Sequence, residues 1–278
     1  MTVRGRFLSG LVTAVAALAA VTTAGTLHAA ASAPTIPYVA LGDSYAAGQG
    51  GGTYLNSCKQ TAEGYPELLN RESRIQLQAN PTCSGAKASE MAAQLSKLED
   101  DTRLVTLTVG AADLGLSAVL GVCTDPTRTL ADCLEAIEHA REDLLPELGS
   151  NLPKLYADVA EAAPNARVVV TGYPYLLEPT APFPTVLIAA INGATDALNS
   201  TIEGAVSDAN DADINIHYVD VTEEFAGHGI GAEPELLFIH PPGVPDAFHP
   251  NATGYQAYAD AISAALPGGW LDKQKQLG

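Results

Sequence analysis

The chain has 278 residues, 47% of them apolar, and carries 32 acidic against 14 basic side chains for a net charge of −18. That length suits one large α/β domain and is short for two. The acidity repels nucleic acid and anionic membrane surfaces, so neither is an expected partner.

The first segment stands apart. Arg4 and Arg6 precede an apolar run from Phe7 to Val21, and the small residues Ala29, Ala30 and Ala31 follow. This order predicts a secretory signal peptide over residues 1–31, cut after Ala31, with residues 32–278 as a single catalytic domain. The apolar run is short of the roughly 20 residues that span a bilayer. No second run of that length follows, so stable membrane insertion is not expected. Two of the basic residues and none of the acidic ones lie in 1–31, which leaves 12 basic against 32 acidic side chains and a mature charge of −20.

Strand-like runs come next. Ile36 to Leu41 is a short apolar run that ends in Gly42-Asp43-Ser44. Leu104 to Val109, Arg167 to Thr171 and Ile214 to Val221 are similar runs, and Ile75 to Leu77 is a short fifth candidate. Helical spacing of apolar residues occupies the gaps: Ala86 to Leu98, Leu130 to Ala163 with expected breaks at Pro146 and Pro153, Thr185 to Ala209, and Gly254 to Leu266. Strands alternating with helices predict a three-layer α/β/α domain with a central parallel sheet. Function in such sheets gathers at the carboxyl ends of the strands.

The four cysteines, Cys58, Cys83, Cys123 and Cys133, all lie in the expected mature chain. An even number in an exported protein predicts two disulfides. Three pairings are possible, and local closure, Cys58–Cys83 with Cys123–Cys133, is the expected one. Each bridge contributes about 3 kcal/mol on the loop-entropy account. A metal site is not expected, because no close-spaced ligand pair such as CxxC or HxxxH occurs.

Two short segments carry chemistry. Ser44 follows a strand directly, where a turn presents a hydroxyl at the sheet edge; it needs a neighbouring base to become a nucleophile. On its own, Asp-Ser more often caps a helix. Near the C-terminus, Asp246-Ala247-Phe248-His249-Pro250-Asn251 offers His249 as that base and Asp246 as the carboxylate that fixes its tautomer. His240 lacks a carboxylate at matching spacing. Leu176 to Leu187, rich in proline and apolar residues, reads equally as the wall of an acyl pocket or as a surface loop.

Together, the two ends on a βαβ background resemble the SGNH (GDSL) esterase–lipase family, from Tyr38 to about Leu266. The resemblance implies a flavodoxin-like α/β fold with Ser44 as nucleophile and His249 and Asp246 as its triad partners. It implies an oxyanion hole built from the amides of Ser44 and Gly85, the latter in Cys83-Ser84-Gly85-Ala86. It implies a secreted ester hydrolase acting on small-molecule or lipid esters through an acyl-enzyme, with no cofactor. Nothing points to an oligomer, and a monomer is expected. One block departs from the family. Where Gly-x-Asn-Asp supplies an asparagine donor, this chain reads Gly110-Ala111-Ala112-Asp113. Loss of one oxyanion donor typically costs 10²–10³ in turnover. Asp113 is expected to order its loop rather than to act in catalysis. The alternatives are a weakened or acyl-transferring enzyme, a carbohydrate O-deacetylase with a shallow polar site, and a silent binding protein.

Overall fold

The computed structural model describes residues 1–2, 35–72 and 74–267. The expected signal peptide lies, apart from Met1 and Thr2, outside the described residues. Every element among the described residues lies within the unit Ala33–Gly278.

Five parallel strands form one sheet: β1 (Ile36–Gly42), β2 (Ile75–Ala79), β3 (Leu104–Thr108), β4 (Arg167–Thr171) and β5 (Ile216–Val219). Their order is β2-β1-β3-β4-β5. All five expected strands are present. β3 is buried at every position and β1 at all but Pro37, as a parallel strand covered on both faces requires.

Eight α-helices cover or cap the sheet among the described residues: α1 (Ser44–Ala47), α2 (Tyr65–Asn70), α3 (Ala92–Leu95), α4 (Leu116–Thr124), α5 (Leu130–His139), α6 (Leu145–Ala162), α7 (Thr185–Asp211) and α8 (Ala252–Ala265). α2 packs on α8, and α6 packs on both α3 and α7, giving the two outer layers. α8 buries Tyr255, Tyr258, Ala259 and Ile262, the face its spacing predicts.

Three helix expectations need correction. Ala86 to Leu98 forms only a 3₁₀ turn and the four-residue α3. Pro153 does not break its helix: α6 runs through it, with Leu148, Leu152, Leu155, Tyr156 and Val159 buried against the core. Burial of that face outweighs the roughly 3 kcal/mol of a helical proline. At Pro146 the chain passes from a π-turn into α6 without leaving the helical path, because proline is tolerated in a first turn.

The disulfides are Cys58–Cys83 and Cys123–Cys133, the locally closed pair. The first ties the loop after α1 to the segment after β2. The second joins α4 to α5. No described helix is long and apolar enough to cross a membrane.

Candidate active site

β1 delivers Gly42 with φ +135°, a conformation that favours glycine. A Cβ there would collide with the Thr108 carbonyl oxygen, so no other residue fits where β1 meets the end of β3. Gln94 clamps the same residue, accepting from its N–H at 2.8 Å and donating to its carbonyl at 3.0 Å. Asp43 then caps α1, its carboxylate accepting from the Tyr45 N–H at 2.9 Å. Ser44 is therefore the first residue of a helix, where N–H groups have no intrahelical acceptor.

Asp43 is completely buried, and its second carboxylate oxygen accepts from the Tyr173 hydroxyl at 2.6 Å. Burial lifts its pKa to about 7, against the pull of the Tyr173 and Tyr45 donors. The Tyr173 hydroxyl also accepts the Ala111 N–H at 3.1 Å. One side chain thus joins the cap beneath Ser44 to the loop after β3.

The C-terminal segment folds back over this turn. His249 Nε2 lies 2.9 Å from Ser44 Oγ, across 205 residues of sequence. Asp246 and Phe248 both have positive φ, +60° and +68°, and the turn between them directs the Ala247 carbonyl inward. His249 Nδ1 faces that carbonyl oxygen at 3.3 Å. The Tyr45 hydroxyl donates to the Phe248 carbonyl at 2.7 Å and holds the turn in place.

The expected bond between Asp246 and His249 is absent, and the reason is this turn. Ala247 O occupies the place beside Nδ1, and the Asp246 carboxylate is engaged by other groups. It accepts from Gln49 Nε2 at 3.1 Å and lies 3.9 Å from Lys59 Nζ. His240 is no competitor for the base, since its Nε2 is held 2.8 Å from the Gly50 carbonyl oxygen.

Gly85 lines the same cleft as Ser44, Ala112 and His249. It has φ +86°, and a Cβ there would meet nothing within 4 Å. Its neighbours are fixed: Ser84 N–H donates to the Cys58 carbonyl and Ala86 N–H to that of Cys83. Asp113 behaves as the sequence implies, its carboxylate accepting from the Ala88 N–H at 3.0 and 3.2 Å. Burial raises its pKa to about 6. Ala112 carries no donor into the cleft, whose volume is about 360 Å³.

A second, almost wholly apolar cavity adjoins the first and shares Ala111, Leu116 and Leu120 with it. It is narrow, about 70 Å³, and runs beneath α4 to Ile137, Ile191 and Leu198. Leu176 lines it, and Leu177, Phe183 and Leu187 line a smaller adjoining recess that also touches Phe248. The Leu176–Leu187 segment is therefore an apolar wall beside the cleft.

His249 is largely buried, which drives its pKa down to about 4; the Ala247 carbonyl and the Asp246 charge oppose the shift, and Lys59 adds to it. An imidazole takes a proton from serine only when neutral. Protonation disables it below about pH 4 rather than near 6.5. The acid limb of kcat/KM should therefore fall near pH 4 in a rate profile of the free enzyme. A limb at 6 to 7 would mean that the ring is solvated in solution.

Sequence reasoning missed the Ala247 carbonyl and Gln49. A main-chain oxygen has no side-chain signature, and Gln49 is an ordinary polar residue in the turn after α1.

A sequence profile described as the GDSL-like lipase/acylhydrolase family matches residues 40–257. Lipase 1 of Streptomyces coelicolor is 33% identical over 256 residues, 89% of this chain and 92% of that protein. A lipase of Streptomyces rimosus is 34% identical over 85% of this chain and 90% of its own. Among solved structures, the extracellular lipase of Streptomyces rimosus superposes with a TM-score of 0.75 at 30% identity, over 83% of this chain and 100% of that one. Phospholipase A1 of Streptomyces albidoflavus does so with a TM-score of 0.75 at 31% identity, over 83% and 99%.

Proposed function

From the premise that the chain belongs to the GDSL-like lipase/acylhydrolase family and is a carboxylic ester hydrolase, we propose that it cleaves esters with Ser44 as nucleophile and His249 as general base. The observation that carries this assignment is the 2.9 Å contact between Ser44 Oγ and His249 Nε2. In the first step His249 takes the hydroxyl proton while Ser44 Oγ attacks the ester carbonyl. The imidazolium that forms is stabilised at Nδ1 by the Ala247 carbonyl. The amides of Ser44 and Gly85 receive the oxyanion, and collapse of the intermediate expels the alcohol with the proton from Nε2. Water then repeats the sequence on the acyl-enzyme. Asp246 acts at a distance, through its charge and its bond to Gln49.

The apolar cavity beneath α4 favours an alkyl acyl chain over the acetyl group of a decorated sugar. A silent binding protein has no use for a base poised on a serine hydroxyl. Export is supported by the leader pattern, the two disulfides and the resemblance to an extracellular lipase. The protein is proposed to act as a monomer.

The test is a series of p-nitrophenyl esters from acetate to palmitate. Each methylene that enters the cavity contributes up to about 0.8 kcal/mol, roughly fourfold in kcat/KM. The rate should climb from acetate to butyrate and beyond until the cavity is full. Highest activity on acetate, with acetylated xylan hydrolysed faster still, would select the deacetylase reading instead.

A further inference from the structure

We infer that Gln49 is a positioning residue that locks the oxyanion loop to the histidine loop, and that Asp246 is its anchor. Gln49 is only 6% exposed. Its side-chain amide makes two bonds in opposite directions. Oε1 accepts from Ser84 Oγ at 2.7 Å, and Nε2 donates to Asp246 Oδ1 at 3.1 Å. Its main chain is held as firmly. The N–H donates to the Ser44 carbonyl at 3.0 Å, and the carbonyl accepts from the Tyr255 hydroxyl at 2.7 Å. One residue therefore touches the nucleophile's helix, the residue before Gly85 and the turn that carries His249.

The consequence follows from Ala112. Without an asparagine donor, the oxyanion relies on two backbone amides. One belongs to α1 and is placed by the helix. The other, Gly85, lies in an exposed turn at φ +86° with nothing packed where its side chain would be. Its position depends on what holds its neighbours: the Cys58–Cys83 bridge on one side, the Ala88–Asp113 bond beyond it, and the Ser84–Gln49 bond beside it. A hole with two donors tolerates misplacement of one of them poorly. Asp246 fixes which way the Gln49 amide faces, because a carboxylate accepts and cannot donate. Lys59 Nζ lies 3.9 Å from the same carboxylate oxygen.

This inference rests on the reading of Ser44 as nucleophile, and a charge swap separates the two. Gln49→Glu sets two carboxylates about 3 Å apart and should lower kcat about tenfold with little change in KM. Gln49→Leu, which removes both bonds, should lose a similar factor. Asp246→Asn should cost less than about tenfold, because the Gln49 amide can turn over and keep both bonds. The pair Gln49→Glu with Asp246→Asn restores a complementary bond and conserves the charge beside Lys59. Its kcat should return to within about threefold of the parent. A purely structural role would move the melting temperature and would not be rescued in this pattern. Two results overturn the proposal. One is a double variant no better than Gln49→Glu alone. The other is an Asp246→Asn loss of about 10⁴ that adding Gln49→Glu does not relieve, as expected of a true histidine partner. A fluorophosphonate label read by mass spectrometry keeps the readings apart. Failure to label Ser44 in the parent removes the nucleophile assignment; labelling with no rescue removes only the bridge.

Discussion

Replacing Ser44 by alanine should lower kcat for p-nitrophenyl ester hydrolysis by about 10⁶-fold, with the melting temperature within a few degrees of the parent. The size follows from how the site is built. In the proposed mechanism Ser44 Oγ and His249 Nε2, 2.9 Å apart, act as one unit, so loss of either leaves the other without a task. A His249→Ala variant should fall almost as far, and the double variant hardly further, because the members of such a unit are not additive. The residual rate would come from the amides and the apolar cavity, which still bind and orient the ester. The fold should tolerate the change, since Asp43 caps α1 through its own carboxylate and the Ser44 hydroxyl has no part in that bond. A variant that kept the parent rate would sink the serine mechanism.

Adding a donor should do the opposite. Ala112→Asn is expected to raise kcat at least tenfold, up to the 10²–10³ attributed to one oxyanion donor. Ala112 lines the cleft with Ser44, Gly85 and His249, and the cleft's 360 Å³ leaves room for a carboxamide. The loop that would carry it is already rigid, held by Asp113 to the Ala88 N–H and by the Ala111 N–H to Tyr173. A gain confined to kcat, with KM steady, marks stabilisation of the transition state rather than of the bound ester. An unchanged rate would mean that a third donor already completes the hole.

Two expectations drawn from local patterns fail. A break is expected at Pro153, yet the residue sits inside a helix, because five buried side chains pin that helix to the core. Asp246 is expected beside His249 on spacing alone. Spacing of three residues permits the contact, but with Asp246 and Phe248 both left-handed the Ala247 carbonyl takes that place and the carboxylate bonds Gln49. At Pro153 long-range packing overrides a local rule; at Asp246 the backbone conformation of the turn does.

What the amino-acid sequence determined by itself is considerable. Short apolar runs and helical spacing gave all five strands and the parallel sheet, because burial of the central strands β1, β3 and β4 on both faces demands that composition. Cysteine count and proximity gave both disulfides. Short blocks at the two ends of the domain singled out Ser44 and His249, which the fold brings within 2.9 Å of each other. The tertiary structure alone decided the rest. Which acceptor faces His249 Nδ1 is settled by the conformation of the turn two residues away, while which side chain spans from Ser84 to Asp246 and where the apolar cavity opens depend on residues tens to hundreds of positions apart. Neither a main-chain carbonyl nor a turn glutamine leaves a periodic or compositional trace, so only the folded chain could reveal them.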